Sequence, residues 1–196
     1  MPALIASTRS RRLCALGMAC ALALARLDAL TLTELLNDPK LTPKRFAAYF
    51  EDFEYEFSPG VLPPEVFLQD RRGDCDDYAI LADFVLTARK YDTRLIHIRM
   101  VGRIAHAVCY VSESRAYLDY NNRKYFINLQ RCGRTLREIA TKVADSFEAN
   151  WTSASEFTYD YKEDRKHFGS TVVKTDSPAQ DPPPTPPKAH SPQPTS

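Results

Sequence analysis

With 196 residues, 44% of them hydrophobic, the chain can build one domain of ordinary size with a real core and still carry appendages at its ends. Lys and Arg number 26 against 25 Asp and Glu, a formal net charge of +1, so no field of either sign draws in nucleic acid or an anionic membrane surface. Charge excludes a polyanion binder and names no other partner.

In chain order, Arg9, Arg11 and Arg12 precede an apolar run over 13–25 (LCALGMACALALA), too short to span a bilayer and suited to the core of a secretory signal. Ala23-Leu24-Ala25 offers a small-x-small cleavage site, with Ala29 as a later alternative. The expectation is a leader over 1–29 and export to the periplasm or the extracellular space. A lipoprotein anchored through Cys20 ranks second, because Gly17-Met18-Ala19 matches a lipobox poorly. Losing the leader removes Cys14 and Cys20 and leaves a mature chain with no transmembrane segment and three cysteines, Cys75, Cys109 and Cys132. An odd number in an oxidising compartment leaves at least one thiol unpaired. Cys109 and Cys132 either bridge each other or are both reduced core residues.

The expected domain covers 32–168. A short helix is expected around 33–36, and Thr42-Pro43 supplies the cap and first turn of the next, with Phe46, Ala47, Tyr49 and Phe50 as its apolar stripe. Ser58-Pro59-Gly60 and Pro63-Pro64 read as loop. From Asp74 to about Tyr91 there is no Pro or Gly, and an apolar helix is expected there with Asp74 as N-cap, Asp76 and Asp77 in its first turn and Cys75 at its first position. Four strands follow, over 93–101, 105–112, 115–120 and 124–129, read as an antiparallel meander. Pairing of the second and third about Glu113-Ser114 makes His106 and Asp119 cross-strand neighbours. Thr135 and Glu138 form a capping box for a helix over 135–147, and 156–161 adds a last strand. Eight of 14 prolines fall between Pro178 and Pro194, so 170–196 reads as a disordered Pro-rich tail in which His190 carries little weight.

The chemistry concentrates in DRRGDCDDYA (70–79). A thiol at a helix start meets unpaired backbone N–H groups and the positive end of the helix dipole, conditions that favour a thiolate nucleophile. His106 and Asp119 follow in the order that a base and its orienting carboxylate require. Each has a plainer explanation by itself: a buried small hydrophobe, a hydrogen-bonded strand residue, a turn former. Their joint order favours a triad. His97 precedes a turn on a different strand and His167 lies near the domain end, so both fit less well. No HExxH helix or close Cys/His pair supports a zinc site.

GDCDDYA, HAVCYV and YLDYNN together resemble the three motifs of the transglutaminase-like superfamily, in particular its bacterial cysteine peptidases, and the resemblance covers roughly 53–122. It implies an α+β, papain-like transglutaminase-core fold, with the Cys-bearing helix packed on an antiparallel sheet that bears His and Asp. It also implies Cys-His-Asp acyl transfer through a thioester, to water in a peptidase or amidase or to an amine in a transglutaminase; a noncatalytic peptide-binding module of the same fold is the competing class. Cys75 is then the nucleophile, His106 the acid and base, and Asp119 the orienting group. Gln69, six residues before Cys75, resembles in position the oxyanion glutamine of papain-like peptidases. Asp74 and Asp76 resemble a calcium site of periplasmic adhesin-cleaving members, although helix capping explains both and two carboxylates are too few for a shell of roughly six to eight oxygens. The expectation is therefore a monomeric enzyme acting on a protein or peptide without a cofactor, with calcium the minority alternative.

Overall fold

The computed structural model describes residues 30–122 and 130–175. The expected leader, the fourth strand over 124–129, His190 and nearly all of the Pro-rich tail lie outside the described residues.

Two short helices open the domain. Helix α1 (Leu32–Asn37) is closed by a capping box between Thr31 and Glu34, and α2 (Pro43–Tyr49) has Thr42 as N-cap and Pro43 in its first turn. Phe46 of α2 and Phe50 just after it are buried in an aromatic cluster with Phe53, Phe67 and Tyr78. Strand β1 (Glu54–Tyr55) follows.

The Pro63-Pro64 pair, expected as loop, starts helix α3 (Pro64–Asp70). Proline lacks an N–H that the first turn does not need, and its fixed φ is already helical. Arg71 ends α3 in the left-handed region at φ 55, and the chain turns directly into β2 (Arg72–Gly73), which pairs in parallel with β1. Helix α4 (Cys75–Ala88) begins one residue later with Asp74 as N-cap.

The main sheet is antiparallel throughout and six-stranded, in the order β6-β5-β4-β3-β7-β8. Its members are β3 (Thr93–Met100), β4 (His106–Val111), β5 (Ala116–Leu118), β6 (Gln130–Arg131), β7 (Trp151–Asp160) and β8 (Arg165–Val173). Helix α5 (Leu136–Ser146), with the Thr135–Glu138 capping box, carries the chain from β6 to β7. The strand period sorts side chains cleanly: Leu95, Ala107, Cys109 and Val111 join the α4 core, whereas Ile96, Ile98, Val108 and Tyr110 pack with Ile139, Val143 and Trp151 on the α5 side. Covered on both faces, β4 is buried along its whole length, which is why HAVCYV reads as an unbroken apolar run.

Two expectations change, and one open alternative closes. The last strand is longer than 156–161, and β8 was not foreseen. It continues to Val173, past the expected boundary at 168, with Thr171 Oγ1 and Ser155 Oγ 2.8 Å apart across the β7–β8 pair. Cys75, Cys109 and Cys132 are all free thiols, so the Cys109–Cys132 bridge is not formed. Burial among α4 side chains holds the Cys109 thiol protonated well above its ordinary range, and partial burial pushes Cys132 up to about 11. Among the described residues no helix is long and apolar enough to cross a membrane.

Candidate functional site

Asp74 and Asp77 organise the start of α4 before any chemistry is considered. Asp77 Oδ2 accepts the Asp74 N–H at 2.9 Å, one half of a capping box between Asp74 and Asp77, and Asp74 Oδ1 also accepts the Asp76 N–H at 2.9 Å. The remaining oxygens stitch the preceding loop to the helix: Asp77 Oδ1 takes the Leu62 N–H at 2.7 Å and Asp74 Oδ2 the Ser58 N–H at 3.3 Å. Burial pushes the Asp77 carboxyl up to about 6, although both N–H donors pull the other way. Gly73 is required by contact, since a Cβ there would come within 2.6 Å of Asp77 Oδ2 and 2.7 Å of the Phe67 ring. These bonds fix Cys75 as the first helical residue, buried to 8% exposure, with a backbone N–H that has no acceptor within the helix.

His106 opens β4, and Asp119 follows the last residue of β5. The β4–β5 ladder pairs Cys109 with Leu118, so one further step sets Asp119 opposite Val108 and on the diagonal from His106. The two side chains meet there: His106 Nε2 donates to Asp119 Oδ1 at 2.9 Å, with both residues 5% exposed. Asp119 is itself held, Oδ1 by the Asn121 N–H at 3.0 Å and Oδ2 by Asn122 Nδ2 at 2.8 Å. Phe147, just after α5, packs edge-on to the imidazole at 4.8 Å between centroids.

Burial opposes a charge on His106, but the Asp119 carboxylate beside it overrides that cost, and the Cys75 side chain acts in the same direction, so the ring stays protonated well above its ordinary range. Burial likewise opposes ionisation of Asp119, and the His106 charge with the two asparagine donors overrides it, holding the carboxyl below its ordinary value. With Nε2 committed to Asp119, Nδ1 is the ring nitrogen left for a thiol or a substrate.

Cys75 and His106 share the wall of one open cleft of about 250 Å³ with Tyr55, Phe57, Asp76, Met100, Arg103, Ile104, Asn121 and Phe147. Asp119 is not in the wall and reaches the cleft through His106. Gln69 is also not in it. It is exposed on α3, whose inward face is taken by Phe67 and Leu68.

Sequence reasoning missed Tyr55. The Tyr120 hydroxyl donates to the Glu54 carbonyl at 2.6 Å and ties β1 to the turn after Asp119, so the next residue, Tyr55, enters the wall. Burial raises the Tyr55 phenol, and charge at Cys75, Asp74 and Asp76 adds to the shift, so it remains a hydroxyl donor at neutral pH. Alternating Glu and aromatic residues in FEYEF were the available signal. What they pair with is decided by a parallel ladder of two-residue strands.

The carboxylates of the calcium alternative have protein partners. Asp74 and Asp77 spend both oxygens on backbone N–H groups, and Asp76 Oδ2 accepts from Lys166 Nζ at 2.5 Å. Among the described residues no three His, Cys, Asp or Glu are grouped to hold a metal ion.

No protein-family model matches the chain, and no curated protein sequence matches it. Among solved structures, Legionella pneumophila LapG is similar over 57% of this chain and 60% of that one, at 18% identity and a TM-score of 0.40. Calcium-bound LapG is similar over 57% of this chain and 62% of that one, at 18% identity and a TM-score of 0.38. The chain thus matches about 60% of the length of LapG, and likeness at this level assigns it no activity.

Proposed function

We propose that the protein is a thiol hydrolase of peptide or other amide bonds, with Cys75 as nucleophile, His106 as acid and base, and Asp119 as the group that orients and charges the imidazole. The observation that supports this most is the buried His106–Asp119 hydrogen bond, which leaves Nδ1 of a protonated ring on the wall that also holds Cys75.

In this reading the proton on Nδ1 of His106 is the one given up by the Cys75 thiol, the sulfur attacks the amide carbon, and a tetrahedral oxyanion forms. The Cys75 backbone N–H at the helix start is one donor to that oxyanion, and the Tyr55 hydroxyl on the same wall is the side-chain donor. Collapse breaks the C–N bond as His106 gives its proton to the leaving amine, which leaves a thioester on Cys75. Water, deprotonated by His106, then attacks the thioester, and the carboxylic acid leaves while the thiol is restored. Asp119 moves no proton; its charge supports the imidazolium in both halves.

The test is a thiol-reactive peptidyl probe applied to the wild type, Cys75→Ala and His106→Ala, followed by mass-spectrometric cleavage of a peptide library with a fluorescent primary amine present. Labelling confined to chains with Cys75 and His106, together with cleaved peptides, is expected. Labelling no faster than for a small free thiol and unchanged in His106→Ala would overturn the reading, and amine incorporation without cleavage would replace hydrolysis by transfer.

A further inference from the structure

Lys166 lies on β8, and its ammonium reaches the acidic start of α4 across 90 residues of sequence. Nζ donates to Asp76 Oδ2 at 2.5 Å, with the two side chains only 22% and 26% exposed. The same Nζ sits 5.6 Å from the centre of the Phe157 ring, so the stem is supported by β7 as the head meets the carboxylate.

Three carboxylates stand within four residues at this helix start. Asp74 and Asp76 both line the cleft beside Cys75, but Asp74 and Asp77 are satisfied by backbone N–H groups, which leaves Asp76 as the carboxylate that needs a side-chain partner. Its Oδ1 is buried without a hydrogen bond among the described residues, so Lys166 is the partner on which that carboxylate depends. An unneutralised carboxylate in this position would repel Asp74, Asp77 and any anion forming at the neighbouring sulfur. A cation is therefore needed, and a side chain delivers it.

We infer that Lys166 is a built-in counter-ion of the acidic helix start, a positioning residue that holds Asp76 in the cleft wall and makes a divalent cation there unnecessary. It also pins the outer β7–β8 hairpin to the helix that carries Cys75. The inference stands whether or not the cleft hydrolyses amides, because its readout is thermal stability.

The experiment compares melting temperatures of the wild type, Lys166→Met, Lys166→Arg, Asp76→Asn and the Lys166→Met/Asp76→Asn double variant, each with a chelator and with millimolar calcium. Methionine keeps the apolar stem over Phe157 and removes only the charge. The wild type and Lys166→Arg should melt at the same temperature in both media. Lys166→Met should melt about 3 °C lower, because a half-buried carboxylate loses its partner. In the Asp76→Asn background the same change should shift the melting temperature by less than about 1 °C. A calcium-raised melting temperature in the wild type, or an undiminished Lys166→Met loss when Asp76 is already Asn, would overturn the inference.

Discussion

Replacing Asp119 by Asn keeps the shape of the His106 partner and removes its charge. The contact is 2.9 Å, which places the charge centres roughly 4 Å apart, and two unit charges at that separation attract by about 4 kcal/mol at an effective dielectric of about 20. Burial of both groups cancels part of this, leaving about 2–3 kcal/mol, or roughly a hundredfold in any rate that depends on the charged imidazole. The amide oxygen of the variant can still accept from His106 and Asn121, but its NH2 would face Asn122 Nδ2, so Asn122 must turn its own amide to offer oxygen. The assay is the pseudo-first-order alkylation of Cys75 by iodoacetamide at neutral pH, followed by intact mass, with Cys75→Ala subtracting reaction at the half-buried Cys132. Alkylation is expected to slow about a hundredfold while thermal unfolding shows a folded variant. A folded Asp119→Asn protein that alkylates within about threefold of the wild type would refute the claim that Asp119 acts on the thiol through His106.

Gly73→Ala drives a methyl into Asp77 Oδ2 and the buried Phe67 ring and should cost about 1–3 kcal/mol, read as a lower urea midpoint with slower Cys75 labelling; an unchanged midpoint would show that the cap region yields freely. Once a substrate is found, Tyr55→Phe should lower kcat about tenfold at unchanged KM, and a change confined to KM would move Tyr55 from the oxyanion to binding. Stability should carry two opposed acid-side slopes. His97, held down to about 4 by burial and then by Lys166, contributes stability that is full above about 6.5 and is lost as pH falls through about 4. Asp77, raised by burial to about 6, contributes stability that is present below its ordinary value near 3.8 and is lost as pH rises through about 6. His97→Gln should therefore leave a protein whose urea stability between pH 6.5 and 4 falls less on acidification than that of the wild type, and a steeper fall would contradict the sign.

Much of this architecture is legible because its signals are local. Thr42-Pro43, Thr135 with Glu138, and Asp74 with Asp77 are caps whose partners lie within three residues, so α2, α5 and α4 begin where the sequence places them. The β4 run shows its burial on both faces, and the Asn pair after Asp119 marks the turn that holds that carboxylate. Local readings failed where one signal serves two structures: Pro63-Pro64 stops a chain as readily as it starts a helix, and the polar 165–173 stretch reads as an ending although β7 gives it a ladder.

By itself the sequence determined which residue types could do chemistry and in what order, and it set Cys75 at a helix start, because a cap is specified within one turn. Only the tertiary structure decided which groups meet. The diagonal across β4 and β5 joins His106 to Asp119, and a two-residue parallel ladder brings Tyr55 into the cleft. Lys166 reaches Asp76 from the far edge strand. These are contacts between elements, fixed by sheet order and register, and the physical reason they escape the sequence is that no residue encodes its partner across a fold until every intervening strand has been paired.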